Sequence, residues 1–273
     1  MKNRDSARTF DLVKYRRGQP LATQADEAAV EEPLEIRVEG RSVAVVMRTP
    51  GHDRELATGF VLSEGIVRSG ADIFEITSCL TTGDSAGNGV DLTLVDPAKF
   101  DLTRLSRHVF SSSSCGICGK ATIESAIQQF APINAPLTID ARVLLQLPEK
   151  LFAAQKTFQR TGGLHACALF DAHGELILLR EDVGRHNALD KLIGHQLLAG
   201  QLPLGNCILL LSGRVSFEMT QKALAAGIGV LAAISAPTSL AIEFARANNQ
   251  TLIGFLRGDT MNVYAGTERI TPG

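Results

Sequence analysis

Apolar and polar residues alternate with period two through Leu34-Glu35-Ile36-Arg37-Val38, the pattern of a strand with one buried face. Val43–Met47 follows it, and Glu39-Gly40 between them predicts a hairpin. The period then lengthens. Leu56, Phe60 and Val61 share one face of a helix over Arg54–Leu62. Further strands are predicted near Ile73–Thr77, Val90–Val95 and Leu105–Phe110. Ile123, Ile127 and Phe130 define a helix over Ala121–Phe130, and Arg142–Phe158 reads as a second amphipathic helix. Residues 1 to about 30 are polar and irregular, a loosely held arm that becomes a strand near Val13.

From His165 onward strands and helices alternate. His165–Phe170 and Leu176–Arg180 predict a hairpin around His173-Gly174. Helix Asn187–Leu198, strand Cys207–Leu211, helix Phe217–Ala226, strand Val230–Ile234 and helix Ser239–Asn248 come next. Leu252–Leu256 and Met261–Tyr264 end the sheet. Short, wholly apolar strands separated by helices imply a sheet covered on both faces. The fold class is therefore α/β with a mixed sheet, since the hairpin is antiparallel. The chain divides into an arm (1–30), an N-terminal α+β region (31–140) and an α/β domain (141–273).

Composition narrows the function. The chain has 273 residues, 45% of them hydrophobic, and a formal net charge of −2, which permits a sizeable core and argues against a general nucleic-acid binder. Trp is absent and aromatics are 5%, so a stacking platform for single strands is not expected. No apolar run reaches the length of a membrane span, and no apolar segment succeeds the charged start. A cytoplasmic protein with reduced thiols is the expectation. Five cysteines in uneven spacing do not suggest a disulfide framework. Cys79, Cys167 and Cys207 lie in apolar runs and read as small buried hydrophobes.

The other two cysteines form a CxxC pair inside Ser111-Ser112-Ser113-Ser114-Cys115-Gly116-Ile117-Cys118-Gly119-Lys120. Such a pair binds a metal, cycles as a dithiol, or carries sulfur as a persulfide. A predicted helix just downstream favours negative charge at its start, and Lys120 adds a positive one; both favour the reactive thiolate. A structural zinc site needs two more ligands, and His108, seven residues before Cys115, has no partner at ligand spacing. His173-Gly174-Glu175 matches the H-x-E of zinc deaminases, but the CxxC precedes it and lacks the proline of that signature. A thioredoxin-type centre would sit directly after a strand, whereas here four serines and two glycines give a slack loop suited to delivering a group.

Three loops have the composition of anion or nucleotide contacts: Glu181–Asn187, Ser212-Gly213-Arg214 and Phe255–Thr260. All leave the carboxyl ends of predicted strands, where ligands collect in open α/β sheets. Arg214 can fork onto a phosphate, and Arg185 and His186 can face a ligand. Phe255 can stack on a base, and Asp259 can accept from a guanine edge. Each loop also reads as an ordinary polar turn. The glycines of Thr161-Gly162-Gly163-Leu164-His165 suggest close approach to a ligand or to another part of the chain.

Several segments together resemble the formate dehydrogenase accessory sulfurtransferases, the FdhD family. These are Ser114–Gly119, Arg160–His165, the long run Arg180–Lys191, Ser212–Met219, Ser235–Thr238, and Gly254-Phe255 through Asn262–Tyr264. The resemblance spans residues from about 33 to the end. It implies a core similar to the cytidine deaminases without zinc, preceded by a smaller α+β region. It implies a sulfur carrier that takes persulfide sulfur from a cysteine desulfurase. The acceptor would be the bis-molybdopterin guanine dinucleotide form of the molybdenum cofactor, before insertion into formate dehydrogenase. The first cysteine of the pair carries the persulfide in such proteins, which falls on Cys115, with Cys118 assisting or resolving. The guanine-dinucleotide contact falls on Phe255, Leu256, Arg257, Gly258, Asp259 and Thr260. A two-fold homodimer is the default assembly. Two rival classes remain: a cofactor-binding chaperone that needs no thiol, and a zinc enzyme of the deaminase type.

Overall fold

The computed structural model describes residues 5–18, 20–79, 87–99 and 130–273. The CxxC pair, the strand expected over Leu105–Phe110 and the helix expected over Ala121–Phe130 lie outside them, apart from Phe130 itself.

The segment read as an arm carries two strands, β1 (Ala7–Lys14) and β2 (Ala22–Ala29), paired antiparallel. Arg160 ties β2 to the body through Glu27. Next comes a four-stranded sheet in the order β4-β3-β6-β5, made by β3 (Glu32–Val38), β4 (Arg41–Arg48), β5 (Ile73–Cys79) and β6 (Gly89–Leu94). Its pairings are mixed: β3 with β4 and β5 with β6 are antiparallel, and β3 with β6 is parallel. The β3–β4 turn has positive φ at both Glu39 and Gly40, as a tight hairpin of this twist requires. Leu34, Ile36 and Val38 are wholly buried, as the alternation predicts.

The larger sheet has six strands in the order β13-β12-β11-β10-β8-β9. They are β8 (His165–Phe170), β9 (Leu176–Asp182), β10 (Ile208–Leu211), β11 (Val230–Ala233), β12 (Thr251–Arg257) and β13 (Thr260–Ala265). β10, β11 and β12 run parallel; β8 and β13 run against them. Strand alternation sorts the two faces. Ala166, Ala168, Phe170, Ile208 and Leu210 pack under Leu144, Leu147 and Leu151 of α2 (Ala141–Ala154). Burying each of those leucines contributes roughly 2 kcal/mol. Cys167, Leu169, Leu209 and Leu211 face the other way, into a second cluster. That cluster takes in residues of α1 (Asp53–Ser63), α4 (Arg185–Leu198), α5 (Phe217–Ala225) and α6 (Ser239–Ala247), and also Leu34, Ile36 and Leu92 of the smaller sheet. One core therefore joins both sheets, and helices cover both faces of the larger one. A short pair, β7 (Ile139–Asp140) with β14 (Ile270–Thr271), ties the C-terminus to the start of α2.

Helices α1 and α4 cross at glycine. A Cβ on Gly59 would lie 1.9 Å from the Asp190 carbonyl oxygen, and one on Gly194 1.8 Å from that of Glu55. Only glycine permits this approach.

The single helix expected over Arg142–Phe158 is two: α2 stops at Ala154 and α3 (Lys156–Thr161) starts after Gln155, whose ψ is 69°. The break has a partner. The Glu181 carboxylate accepts from the amides of Thr157 and Phe158 at 3.1 and 2.8 Å, capping a new helix start that a continuous helix would not leave free. Gly162 then closes α3 with φ 64°, and Gly163 lies against Ala29 of β2. Gly163 thus serves close approach within the chain, and Gly162 the left-handed helix end.

Candidate functional site

One edge of the larger sheet gathers the three loops. β10, β11 and β12 end there, β9 ends there at Asp182, and β8 begins there at His165, which pairs with Asp182 across the ladder.

The Glu181–Asn187 loop is nailed from below. Asp182 is fully buried, 2.6 Å from the Lys191 ammonium. Its oxygens also accept from the amides of Thr49 (3.1 Å) and Gly184 (2.8 Å) and from Asn187 Nδ2 (3.0 Å). Asn187 Nδ2 also donates to the Met47 carbonyl at 2.7 Å, Lys191 to that of Thr49 at 2.8 Å, and the Val183 amide to Thr49 Oγ1 at 3.2 Å. Each polar group in this floor is answered, which is the condition for burying charge at all. It fixes the end of β9 and the start of α4 against the exit of β4.

Above the floor stand Arg185 and His186. Arg185 runs over Gly213, its Cδ 3.9 Å from where a Cβ on that glycine would be, while His165 Nδ1 would be 3.2 Å away. The loop before α5 is held to β8 by the Ala166 amide, which donates to Ser212 Oγ at 2.9 Å. The helix that follows Ser212-Gly213-Arg214 starts at Phe217, as expected, with Ser216 at its cap. Arg214 is exposed. His186 Nε2 lies 2.8 Å from a Glu218 oxygen, although its N–H is not aimed along that line. Contact with His186 holds the Glu218 carboxyl below the ordinary carboxylate range, against burial. Burial pushes the His165 pKa down, helped by the positive charge of Arg185, His186 and Arg214. His165 is thereby kept neutral near pH 7.

The β12–β13 turn closes the edge. Phe255 is half-buried with φ 53°, a left-handed conformation that a bulky residue rarely takes. The cause lies next to it. A Cβ on Gly254 would meet Pro237 Cδ at 2.7 Å, and the Phe255 amide donates to the Ser235 carbonyl at 3.1 Å, so β12 bulges here to track the loop after β11. The Arg257 guanidinium lies 5.6 Å from the Phe255 ring centroid, a cation–π distance. Leu256 points into the core and is fully buried, so its side chain anchors the turn. Arg257, Gly258, Asp259 and Thr260 are exposed. The turn thus offers a planar ring, a cation and a carboxylate at one rim.

Cys115 and Cys118 lie outside the described residues. Of the remaining thiols, burial raises Cys167 well above an ordinary thiol and raises Cys207 as well, which leaves both unreactive. His173 and Glu175 sit in the β8–β9 turn, where Asp171 accepts from both amides and Glu175 pairs with Lys150 at 2.9 Å. Among the described residues no cluster of three or more His, Cys, Asp or Glu side chains is arranged to hold a metal ion. A cavity of about 890 Å³ between β5 and the far end of α4, lined by Arg54, Phe74 and Leu198 among others, is remote from this edge. Sequence reasoning missed the floor. Thr49, Met47 and Lys191 carry no local signal for it, because their partners lie up to 142 residues away.

The FdhD/NarQ family model matches residues 29–271. The sulfur carrier protein FdhD of Mycobacterium tuberculosis is 48% identical over 267 residues, which is 95% of this chain and 97% of that protein. That of Saccharolobus solfataricus is 41% identical over 264 residues, covering 96% and 97%. The chain belongs to the FdhD/NarQ family. Its fold is that of a crystal structure from Desulfotalea psychrophila assigned as a formate dehydrogenase accessory protein. The TM-score is 0.77 at 23% identity, over 98% of this chain and 100% of that one.

Proposed function

We propose that this protein is a sulfur carrier in formate dehydrogenase maturation, with Cys115 as the carrying thiol. The observation that carries the reading is the near full-length identity to proteins named as sulfur carriers. The chemistry of the chain agrees with it. The CxxC loop is rich in small residues and has Lys120 beside it, while Cys167 and Cys207 are raised out of reactivity by burial.

In this reading the Cys115 thiolate attacks the terminal sulfur of a cysteine desulfurase persulfide. One S–S bond forms as the old one breaks, the donor cysteine leaves as thiolate, and the proton on the transferred sulfur travels with it or exchanges with solvent. Cys118 assists loading or resolves the product. As resolving thiolate, Cys118 attacks Cys115 Sγ: a Cys115–Cys118 disulfide forms as the bond to the outer sulfur breaks, and that sulfur leaves as hydrosulfide for the molybdenum cofactor in its bis-molybdopterin guanine dinucleotide form, which is substrate here. The exposed rim of Phe255, Arg257, Asp259 and Thr260 supports a guanine contact, since a half-buried ring can stack and a carboxylate can accept from the guanine N–H edge. Arg257 beside the ring suits the anionic ligand.

Replacement of Cys115 by Ala tests this reading. It should abolish formate dehydrogenase maturation in a cell lacking the native carrier and leave GDP binding intact. Unimpaired maturation would favour a chaperone that holds the cofactor without carrying sulfur.

A further inference from the structure

The groups flanking the start of α4 are charged in a way that neither the thiol nor the β12–β13 turn uses. We propose that Arg185, Arg214, His165 and His186 form a subsite for a phosphoryl oxyanion at the joint of β8, β9 and β10, separate from the Phe255–Thr260 turn.

Four observations converge. First, positive charge is in excess, although the Glu218 carboxylate feels that of Arg185 and Lys222 as well as His186. Asp182, the nearest buried carboxylate, is already matched by Lys191 at 2.6 Å, and Glu218 is engaged by His186 at 2.8 Å. Neither Arg185 nor Arg214 has an ion-pair partner among the described residues. Second, donors are left unanswered: Arg185 Nε and Ser216 Oγ are buried without a hydrogen-bond partner. His186 Nε2 is a third such atom, and no buried side-chain atom of the floor just beneath joins them. Third, the start of α4 is uncapped. Gly184 has no side chain to accept from the first-turn amides, and no acidic residue lies in that turn. A fourteen-residue helix ending this way favours an anion. Fourth, space is kept at Gly213, where a side chain would press on His165 Nδ1 at 3.2 Å.

A phosphoryl group fits this set better than a carboxylate. Two guanidinium forks offer parallel N–H pairs to tetrahedral oxygens, and free helix amides add short donors to the same anion. Neutral His165 can donate without adding repulsion. The chemistry is shared by inorganic pyrophosphate and by the diphosphate of a nucleotide. Identifying the natural ligand as the guanine dinucleotide rests on the proposed function; oxyanion binding does not.

Calorimetric titration of the full-length protein with inorganic pyrophosphate, GDP and guanosine separates the two ideas. Pyrophosphate and GDP should bind. Arg185→Gln and Arg214→Gln should each weaken both by roughly tenfold or more and leave guanosine unchanged. Phe255→Ala should weaken GDP and guanosine and spare pyrophosphate. Absence of pyrophosphate binding, or affinity untouched by both arginine substitutions, overturns the subsite even if guanosine still binds at the turn. Pyrophosphate bound through the arginines with no guanosine affinity keeps the subsite and removes the nucleotide reading. Arg214 is exposed and makes no ion pair among the described residues, so R214Q reports on binding even if R185Q disturbs the loop.

Discussion

Asp182 and Arg185 are three residues apart, yet they belong to opposite regimes. Below, Asp182, Asn187, Lys191 and Thr49 form a floor in which every donor meets an acceptor. Above, Arg185 and Ser216 keep buried donors with nothing to meet, and Arg214 extends into solvent. A satisfied buried network holds one geometry and has no use for a ligand. An unsatisfied rim on such a floor is already ordered and has interactions still to make. The long polar run Arg180–Lys191 is therefore two devices in one segment: Asp182, Asn187 and Lys191 build, and Arg185 and His186 stand at the rim.

The sharpest way to break this contrast is to attack the floor. Lys191→Met leaves Asp182 as an uncompensated buried charge and should cost about 3–5 kcal/mol in chemical denaturation; a loss under about 1 kcal/mol would mean that the floor is not structural. Gly194→Ala comes next. Its Cβ would collide with the Glu55 carbonyl and with the Gly59 amide nitrogen 2.7 Å away, and pushing α1 off α4 should cost about 1–3 kcal/mol, read as a lower unfolding midpoint.

A smaller effect sits at the edge of the core. Burial would raise the Glu55 pKa, but hydrogen bonds from Arg180, then His52 and His195, outweigh it and hold the carboxyl far below its ordinary value of 4.5. A depressed folded-state pKa gives stability that is full above the unfolded value and declines as pH falls through the folded one. Glu55→Gln should therefore cost roughly 1 kcal/mol at pH 7, after allowance for solvent screening. It should also flatten the loss of stability below about pH 4.5. A wild-type acid limb unchanged in the variant would show that the cluster is not linked to folding.

The smallest effects on stability belong to the rim. Arg214→Gln should change stability by no more than about 0.5 kcal/mol, even though it impairs oxyanion binding. A large stability loss there would erase the distinction between floor and rim.

Where structure obeys local pattern, the sequence is a good guide. Alternation in Leu34–Val38 marks its buried face, the apolar run ending at Leu211 marks a central strand, and Glu39-Gly40 marks a hairpin. The loops at the strand ends are legible too, because α/β connectivity brings parallel strand ends to one edge. Legibility ends where distant groups decide. The helix breaks at Gln155 because Glu181 caps the start of α3. Gly59 and Gly194 look like ordinary helix glycines until two helices meet at them. Phe255 takes a positive φ because β12 must pass around Pro237, and nothing about phenylalanine announces that. The thiol pair is the reverse case: the sequence singles it out by its spacing and its small neighbours, and its placement lies outside the described residues.

The proposed role depends above all on sulfur reaching Cys115. Incubating the purified protein with a cysteine desulfurase and cysteine, then analysing peptides by mass spectrometry without reductant, tests that directly. The expected result is the added mass of one or more sulfur atoms on the peptide containing Cys115, absent from Cys115→Ala. An unmodified Cys115 peptide beside a turning-over desulfurase would contradict it.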